Sequence, residues 1–437
     1  MNEDQAERRV RAAFENEYRS PSPDFASRMR AAVQRAPADK PQQRRALEAA
    51  AVLLAIVVIA ALMMPRFLQA ASKPSTAKPK PTPTLITKKP SFVASPAILQ
   101  TTGTTTWLFS GDRVYRTADG GANWTDATPV APSSSGPQAA FALDSSHAWM
   151  AMSAYQTGLG INGVSFYGTG DGGASWQKLG SSPITGAWLD QMTFVDPTHG
   201  WLLVSLGVAT GSEGVSVWGT SDGGHTWQEL AKSPIPQQSE ASGQLPSGCD
   251  KTGLTFKDEK TGWVTAVCAG GSPFLYMTTD GGHLWNRQAL PPAPGQTSES
   301  LGYSPSVLPP VFPNQTFGLL PVGLSLGSGN VRSLVIYATH DGGRTWTATM
   351  PIPSGRAMAA PSADYWIVVV APRQILSTRD GHQYSQVTSD TDLSQIQQVS
   401  FLDPLHGLAL VTQPSGGYQL LRSSDGGADW SPVTIGS

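Results

Sequence analysis

From about residue 92 onward, apolar residues come in short runs cut by Gly, Asp, Pro and Ser, a rhythm that predicts strands and tight turns rather than helices. The runs recur as a unit. Its clearest element reads Thr/Ser-x-Asp-Gly-Gly-x-x-Trp, centred on Asp119, Asp171, Asp222, Asp280, Asp341 and Asp425 and closing on Trp124, Trp176, Trp227, Trp285, Trp346 and Trp430. A worn copy sits at Asp380, one residue shorter and with Tyr384 in the Trp place. Upstream of each lies a second half-motif, an apolar strand, a polar turn and Gly-Trp or a relative, as in Phe194–Trp201, Phe256–Trp263 and Phe401–Leu408. Each unit therefore spells strand A, tight turn, strand B, loop, strand C, Asp turn, strand D, over about 50 residues. The Asp carboxylate suits a turn because it accepts nearby backbone N–H groups, and the glycines permit positive φ there. One such sheet is marginal alone, so copies must pack on each other. The expected fold is all-β, a seven-bladed β-propeller of four-stranded blades over 92–437.

The first 91 residues have a different pattern. Ala6–Tyr18 and Asp24–Gln34 predict two short helices in a tail spanning 1–45, the second opened by Ser22-Pro23. Residues 46–68 contain the uncharged run Ala49–Met64, which with its apolar flanks reaches the roughly 20 residues of a transmembrane helix. A cleaved signal peptide is the alternative, but more than 40 residues precede the run, which favours a retained anchor. Residues 69–91, rich in Lys, Pro and Thr, read as an extended linker. The expected topology is N-in, C-out, with an extracytoplasmic propeller.

Charge sharpens this division. Residues 1–91 hold 16 Lys and Arg against 8 Asp and Glu, and residues 92–437 hold 14 against 24. An acidic body repels phosphate backbones, so nucleic acid is not an expected partner. Cys249 and Cys268 flank the A–B hairpin of the fourth unit at positions that allow a disulfide. The longer B–C and D–A connections fall in units two to five, where Tyr155, Glu240 and Tyr303 are candidate lining residues of a binding face.

The paired pattern F-x-D-x-x-x-G-W and T-x-D-G-G-x-x-W resembles the photosystem II stability/assembly-factor family over roughly residues 92–437. It is similar more distantly to sialidase, sortilin-type and xyloglucanase-type propellers. The first resemblance implies a chaperone-like, non-enzymatic role towards membrane protein complexes, without a cofactor or metal. This chain departs from that family in lacking an arginine-rich surface, since only nine arginines follow residue 91. The glycosidase resemblances imply another possibility, a glycan-binding protein or a glycoside hydrolase. A hydrolase of that kind needs two convergent carboxylates, for which Asp190, with Asp392 as partner, is the best candidate. The seven box aspartates are turn residues rather than catalytic ones, as are His199 and His406 in their Asp-Pro-x-His-Gly turns. The expected partners are thus the membrane, through one helix, and a protein complex or glycan on the long-loop face.

Overall fold

The computed structural model describes residues 92–435 except 94–96, 130–136, 157–159, 210–211, 234–242, 269–272, 296–305, 327–330 and 415. The expected helical tail, membrane helix and linker lie outside the described residues. Among the described residues no helix is long and apolar enough to cross a membrane.

Seven antiparallel sheets follow one another along the chain. Their innermost strands are Ala97–Thr102, Ala139–Ala142, Trp188–Phe194, Cys249–Phe256, Ser306–Val307, Gly355–Ser362 and Ile396–Phe401, in blades one to seven. Each is followed outward by strands B, C and D, so the seven-bladed propeller of four-stranded blades is present as expected. Both ends of the described chain complete blade seven. Phe92–Val93 pairs with Tyr418–Gln419, and Ser431–Pro432 pairs with Leu421–Arg422, along the outer edge of the same strand. Blade one supplies its own innermost strand, which glutamines join to both neighbours. Gln398 of blade seven accepts the N–H of Leu99 at 3.2 Å and donates to its carbonyl, and Gln100 accepts the N–H of Ala142 in blade two at 3.0 Å.

The box is a closed hydrogen-bond unit. In blade one the Thr117 hydroxyl donates to Asp119 Oδ1 at 2.8 Å and accepts the N–H of Gly121 at 3.0 Å. Asp119 also accepts the N–H of Asn123 at 2.9 Å. The same set recurs in blade two around Asp171, where Ser175 adds its hydroxyl at 2.6 Å. The first box glycine donates to the A–B turn of its own blade, as Gly223 does to Thr198 at 2.8 Å and Gly281 to Lys260 at 2.9 Å. Both kinds of tight turn therefore share one face, and the B–C hairpins rise on the other.

The two half-motifs meet across the seams between blades. Trp201 of blade three stacks on Phe256 of blade four, with ring centroids 3.7 Å apart, and Trp285 of the blade-four box meets Phe256 edge-on at 6.1 Å. Trp201 Nε1 then donates to the carbonyl of Gly281, inside that box, at 2.8 Å. Blades two and three repeat this arrangement with Trp149, Phe194, Trp227 and Gly223. Blades four and five repeat it with Trp263, Phe312 and Trp346, where Gln288 bridges Trp263 Nε1 to the Gly343 carbonyl. The glycine before Trp201 and before Trp263 has a packing reason: the Phe ring of its own blade folds over it. A Cβ at Gly200 would lie 2.5 Å from the Phe194 ring, and one at Gly262 2.6 Å from Phe256.

Gly200→Ala is expected to lower unfolding free energy by about 1–3 kcal/mol through this overpacking. Gly248→Ala, where a Cβ meets nothing within 4 Å, should stay within about 0.5 kcal/mol of the parent; urea unfolding checks both. The boxes add a pH dependence. The Asn123 N–H, then its amide and the Thr117 hydroxyl, hold Asp119 at about 2 despite slight burial. The Ser175 hydroxyl and N–H hold Asp171 at about 2. Such depressed carboxylates stabilise the fold above their unfolded value of about 4, and that contribution is lost as pH falls through about 2. Melting temperature measured from pH 5 to pH 2 should fall less steeply in an Asp119→Asn/Asp171→Asn variant than in the parent.

Candidate functional site

The hairpin face is uneven. Strand B is Thr105–Ser110, Tyr365–Val370 and Gly407–Thr412 in blades one, six and seven, but Ala148–Gln156, Gly200–Ala209 and Gly318–Leu326 in blades two, three and five. Three or four extra residues lift the longer hairpins by about 10 Å. They form a wall on one side of the face, as the spacing of the long connections predicts. Its blade-three tip presents Val208, 47% exposed. Blade two leans onto blade three: its outer strand Gln177–Gly186 passes through Ala187 alone into Trp188, and Ala187 donates to the Ser205 carbonyl at 2.7 Å. Glycine permits this approach, because a Cβ at Gly186 would lie 2.5 Å from that carbonyl.

On the blade-three hairpin, at the seam between blades three and four, sits a knot of charged side chains, with Glu213 paired in register with Val208. Glu213, at the start of strand C of blade three, is 3% exposed. Its Oε1 accepts the Ser205 hydroxyl at 2.8 Å, and its Oε2 accepts the backbone N–H of Lys251 at 2.6 Å. The buried Lys251 ammonium donates to the carbonyls of Glu213 and Cys249 at 2.8 Å and to that of Pro246. Cys249 is disulfide-bonded, and the strand register places Cys268, the chain's other cysteine, directly opposite it.

Asp190 occupies a β-bulge between Leu189 and Gln191 on the innermost strand of blade three. The next residue, Gln191, crosses to blade four and accepts the N–H of Leu254 at 3.0 Å. Asp190 itself has one oxygen, Oδ2, that is buried without a hydrogen-bond partner. Burial, reinforced by the charge of Glu213, pushes its carboxyl up to about 7, against a hydrogen bond from the Trp188 side chain. The structure does not bring Asp392 to it. Asp392 lies in the connection between blades six and seven, where it accepts the N–H of Ser394 at 2.8 Å. The Ser394 side chain, and then that bond, hold it below the usual carboxylate range. The carboxylate acting on Asp190 is Glu213, which no motif marks in the sequence.

The other candidates distribute as follows. Tyr155 pairs with Ile161 near the blade-two hairpin tip, while Glu240 and Tyr303 lie outside the described residues. The described end of the connection between blades three and four packs into the seam: Leu245 is buried beside Trp201 and Trp285, and the Gly243 carbonyl accepts the Trp285 N–H at 2.9 Å. This stretch is a wedge rather than a free loop, and its lone apolar Leu245 was the available signal.

No family model and no curated protein matches the chain. Among solved structures it is similar to "YCF48 bound to D1 peptide", at 19% identity over 76% of this chain and 99% of that one, with a TM-score of 0.45. It is similar also to YCF48 from Cyanidioschyzon merolae (16% identity, 69% and 87% covered, TM-score 0.43). A third is the GH74 xyloglucanase from Xanthomonas campestris (14% identity, 79% and 65% covered, TM-score 0.33). The likeness is one of fold. The assembly-factor and glycosidase propellers that the repeat motifs resemble both reappear among these structures, and at such identities they do not choose between a binder and an enzyme.

Because the folded state binds its Asp190 proton more tightly than the unfolded chain, stability is expected to decline as pH rises from about 4 through about 7. Asp190→Asn removes that proton equilibrium. The variant should match the parent below pH 4 and exceed it at pH 8 in denaturant midpoint; a parent that still equals or exceeds the variant at pH 8 contradicts the account of this carboxyl.

Proposed function

We propose that the chain is a membrane-anchored, non-enzymatic binding or assembly module, with residues 46–68 as the anchor and the propeller outside the cytoplasm. Its partner in this reading is an envelope protein or complex that docks on the wall of long hairpins of blades two, three and five. The observation that carries the reading is the use made of charge within the blade-three hairpin. Glu213 Oε2 and the Lys251 ammonium make bonds that tie blade three to blade four, while Glu213 Oε1 is held by Ser205 of its own blade. A carboxylate so occupied and buried is a poor nucleophile or base, since acting would leave its donors unpaired. What remains for recognition is the raised hairpins themselves, rigidly based and tipped by exposed residues such as Val208.

One observation favours a second reading. An acid with its pKa near 7 beside a second carboxylate is the pattern of a general acid in glycoside hydrolysis. In that reading the protein binds glycans, and Asp190 protonates a leaving oxygen.

Photo-cross-linking separates the two. A photoreactive residue at Val208, on the hairpin face, is compared in native membranes with one at Leu405, 54% exposed in a tight turn of the opposite face. The binding reading expects a discrete cross-linked protein from position 208 that is absent from position 405. No protein adduct from either site, together with polysaccharide hydrolysis lost on Asp190→Asn, would replace it with the second reading.

A further inference from the structure

On the tight-turn face, at the seam of blades three and four, a different cluster of side chains meets. Blade three turns through Asp196-Pro197-Thr198-His199. Asp196 Oδ1 accepts the N–H groups of Thr198 at 2.6 Å and His199 at 2.8 Å, and the Thr198 hydroxyl at 2.6 Å. This fixes the carboxylate so that Oδ2 is left facing His199 Nδ1, 2.8 Å away. From the neighbouring turn of blade four, Glu259 brings Oε1 to 3.8 Å from the same ring nitrogen. Glu259 is 60% exposed at its side chain, and its ionic neighbour among the described residues is His199 alone.

The same turn occurs twice more and supplies an internal comparison. His147 Nδ1 lies 2.9 Å from Asp144 Oδ2 in blade two, and His406 Nδ1 lies 2.8 Å from Asp403 Oδ2 in blade seven. The Asp–His contact is therefore a property of the turn. The third ligand is not: among the described residues, Asp196, His199 and Glu259 are the single group of three such side chains whose ligand atoms lie within 4.8 Å of one another.

We propose that Asp196, His199 and Glu259 form a site for a divalent cation of the zinc class, bridging the turns of blades three and four. One imidazole nitrogen and two carboxylate oxygens make a mixed N,O set, which favours zinc over the oxygen-seeking magnesium or calcium. Three protein ligands at a solvent-exposed seam leave further positions to water. A metal held at Nδ1 takes the neutral tautomer whose single proton is on Nε2. Partial burial would raise the Asp196 carboxyl, yet the Thr198 hydroxyl and the two turn N–H groups hold it well below the usual range, so this ligand is ionised at neutral pH. The site lies on the face opposite the hairpin wall and is independent of the proposed function.

The test is calorimetric titration of zinc chloride into the untagged, metal-stripped full chain at pH 7.5, with thermal melts alongside. One saturable ion per chain is expected, with a melting temperature raised by ~3 °C at a hundredfold excess over the dissociation constant. Magnesium chloride should give neither effect. Glu259→Gln and His199→Ala should each abolish the saturable event, while His406→Ala, whose turn lacks the third ligand, should retain it. All three alter exposed turn side chains, and their metal-free melts report whether each is folded. Absence of saturable zinc binding in the parent, or binding by Glu259→Gln equal to the parent, overturns the proposal.

Discussion

The structure depends on an interaction that no single blade can make. At the seams joining blades two to five, the inner Trp of one blade lies face to face with the next blade's Phe, and that blade's box Trp meets the same Phe edge-on. The indole N–H then reaches a carbonyl inside the neighbouring box, directly for Trp149 and Trp201 and through Gln288 for Trp263. A box closed on itself by Thr and Asp is stiff but has no means of choosing a neighbour. The inner Trp supplies that choice, so the two half-motifs of one repeat act on different seams. This explains why both halves recur together along the chain; before Trp201 and Trp263 the residue is glycine, because the blade's own Phe ring leaves no space for a Cβ.

Where the motif is worn, other groups join the seam. In blade six Trp366 donates to Ala363 within its own blade at 3.4 Å, and Tyr384 replaces the box Trp. At the junction of blades seven and one, Leu408 stands where the Trp would be. There Arg422 Nε donates to the Gly120 carbonyl at 2.8 Å, and Gln398 grips both backbone groups of Leu99. Bonding of one blade to the carbonyl of the next box survives while the side chain that provides it changes. Ring closure thus uses side-chain bonds on the axial side and, at the periphery, strand pairing by both ends of the described chain.

The sequence made the repeats legible because their chemistry is local: Thr or Ser, Asp and Gly solve the same turn problem in all seven units, at fixed spacing in six of them. Cys249 and Cys268 were legible for a similar reason, since equal distances from one hairpin turn set their register. Glu213, Lys251 and Gln191 were not legible. Their roles arise from bulges on innermost strands and from bonds between blades, and neither leaves a periodic trace. Asp392 was paired with Asp190 on chemical type alone. The fold separates them by blade and brings instead a glutamate from the returning strand of a raised hairpin. The long connections were correctly placed by counting, but counting did not distinguish a hairpin that rises from a connection, such as that ending in Leu245, that fills a seam.

The account stands most directly on the seam between blades three and four, where Trp201 and Phe256 stack at 3.7 Å. A double-mutant cycle on these two residues, read by equilibrium urea unfolding of the propeller, measures whether the Trp of one blade is coupled to the Phe of the next. The account predicts a coupling of about 0.5–1.5 kcal/mol, the range for an aromatic pair beyond its buried area. Losses that add to within about 0.3 kcal/mol would mean that the blades hold their own cores independently, and would contradict it.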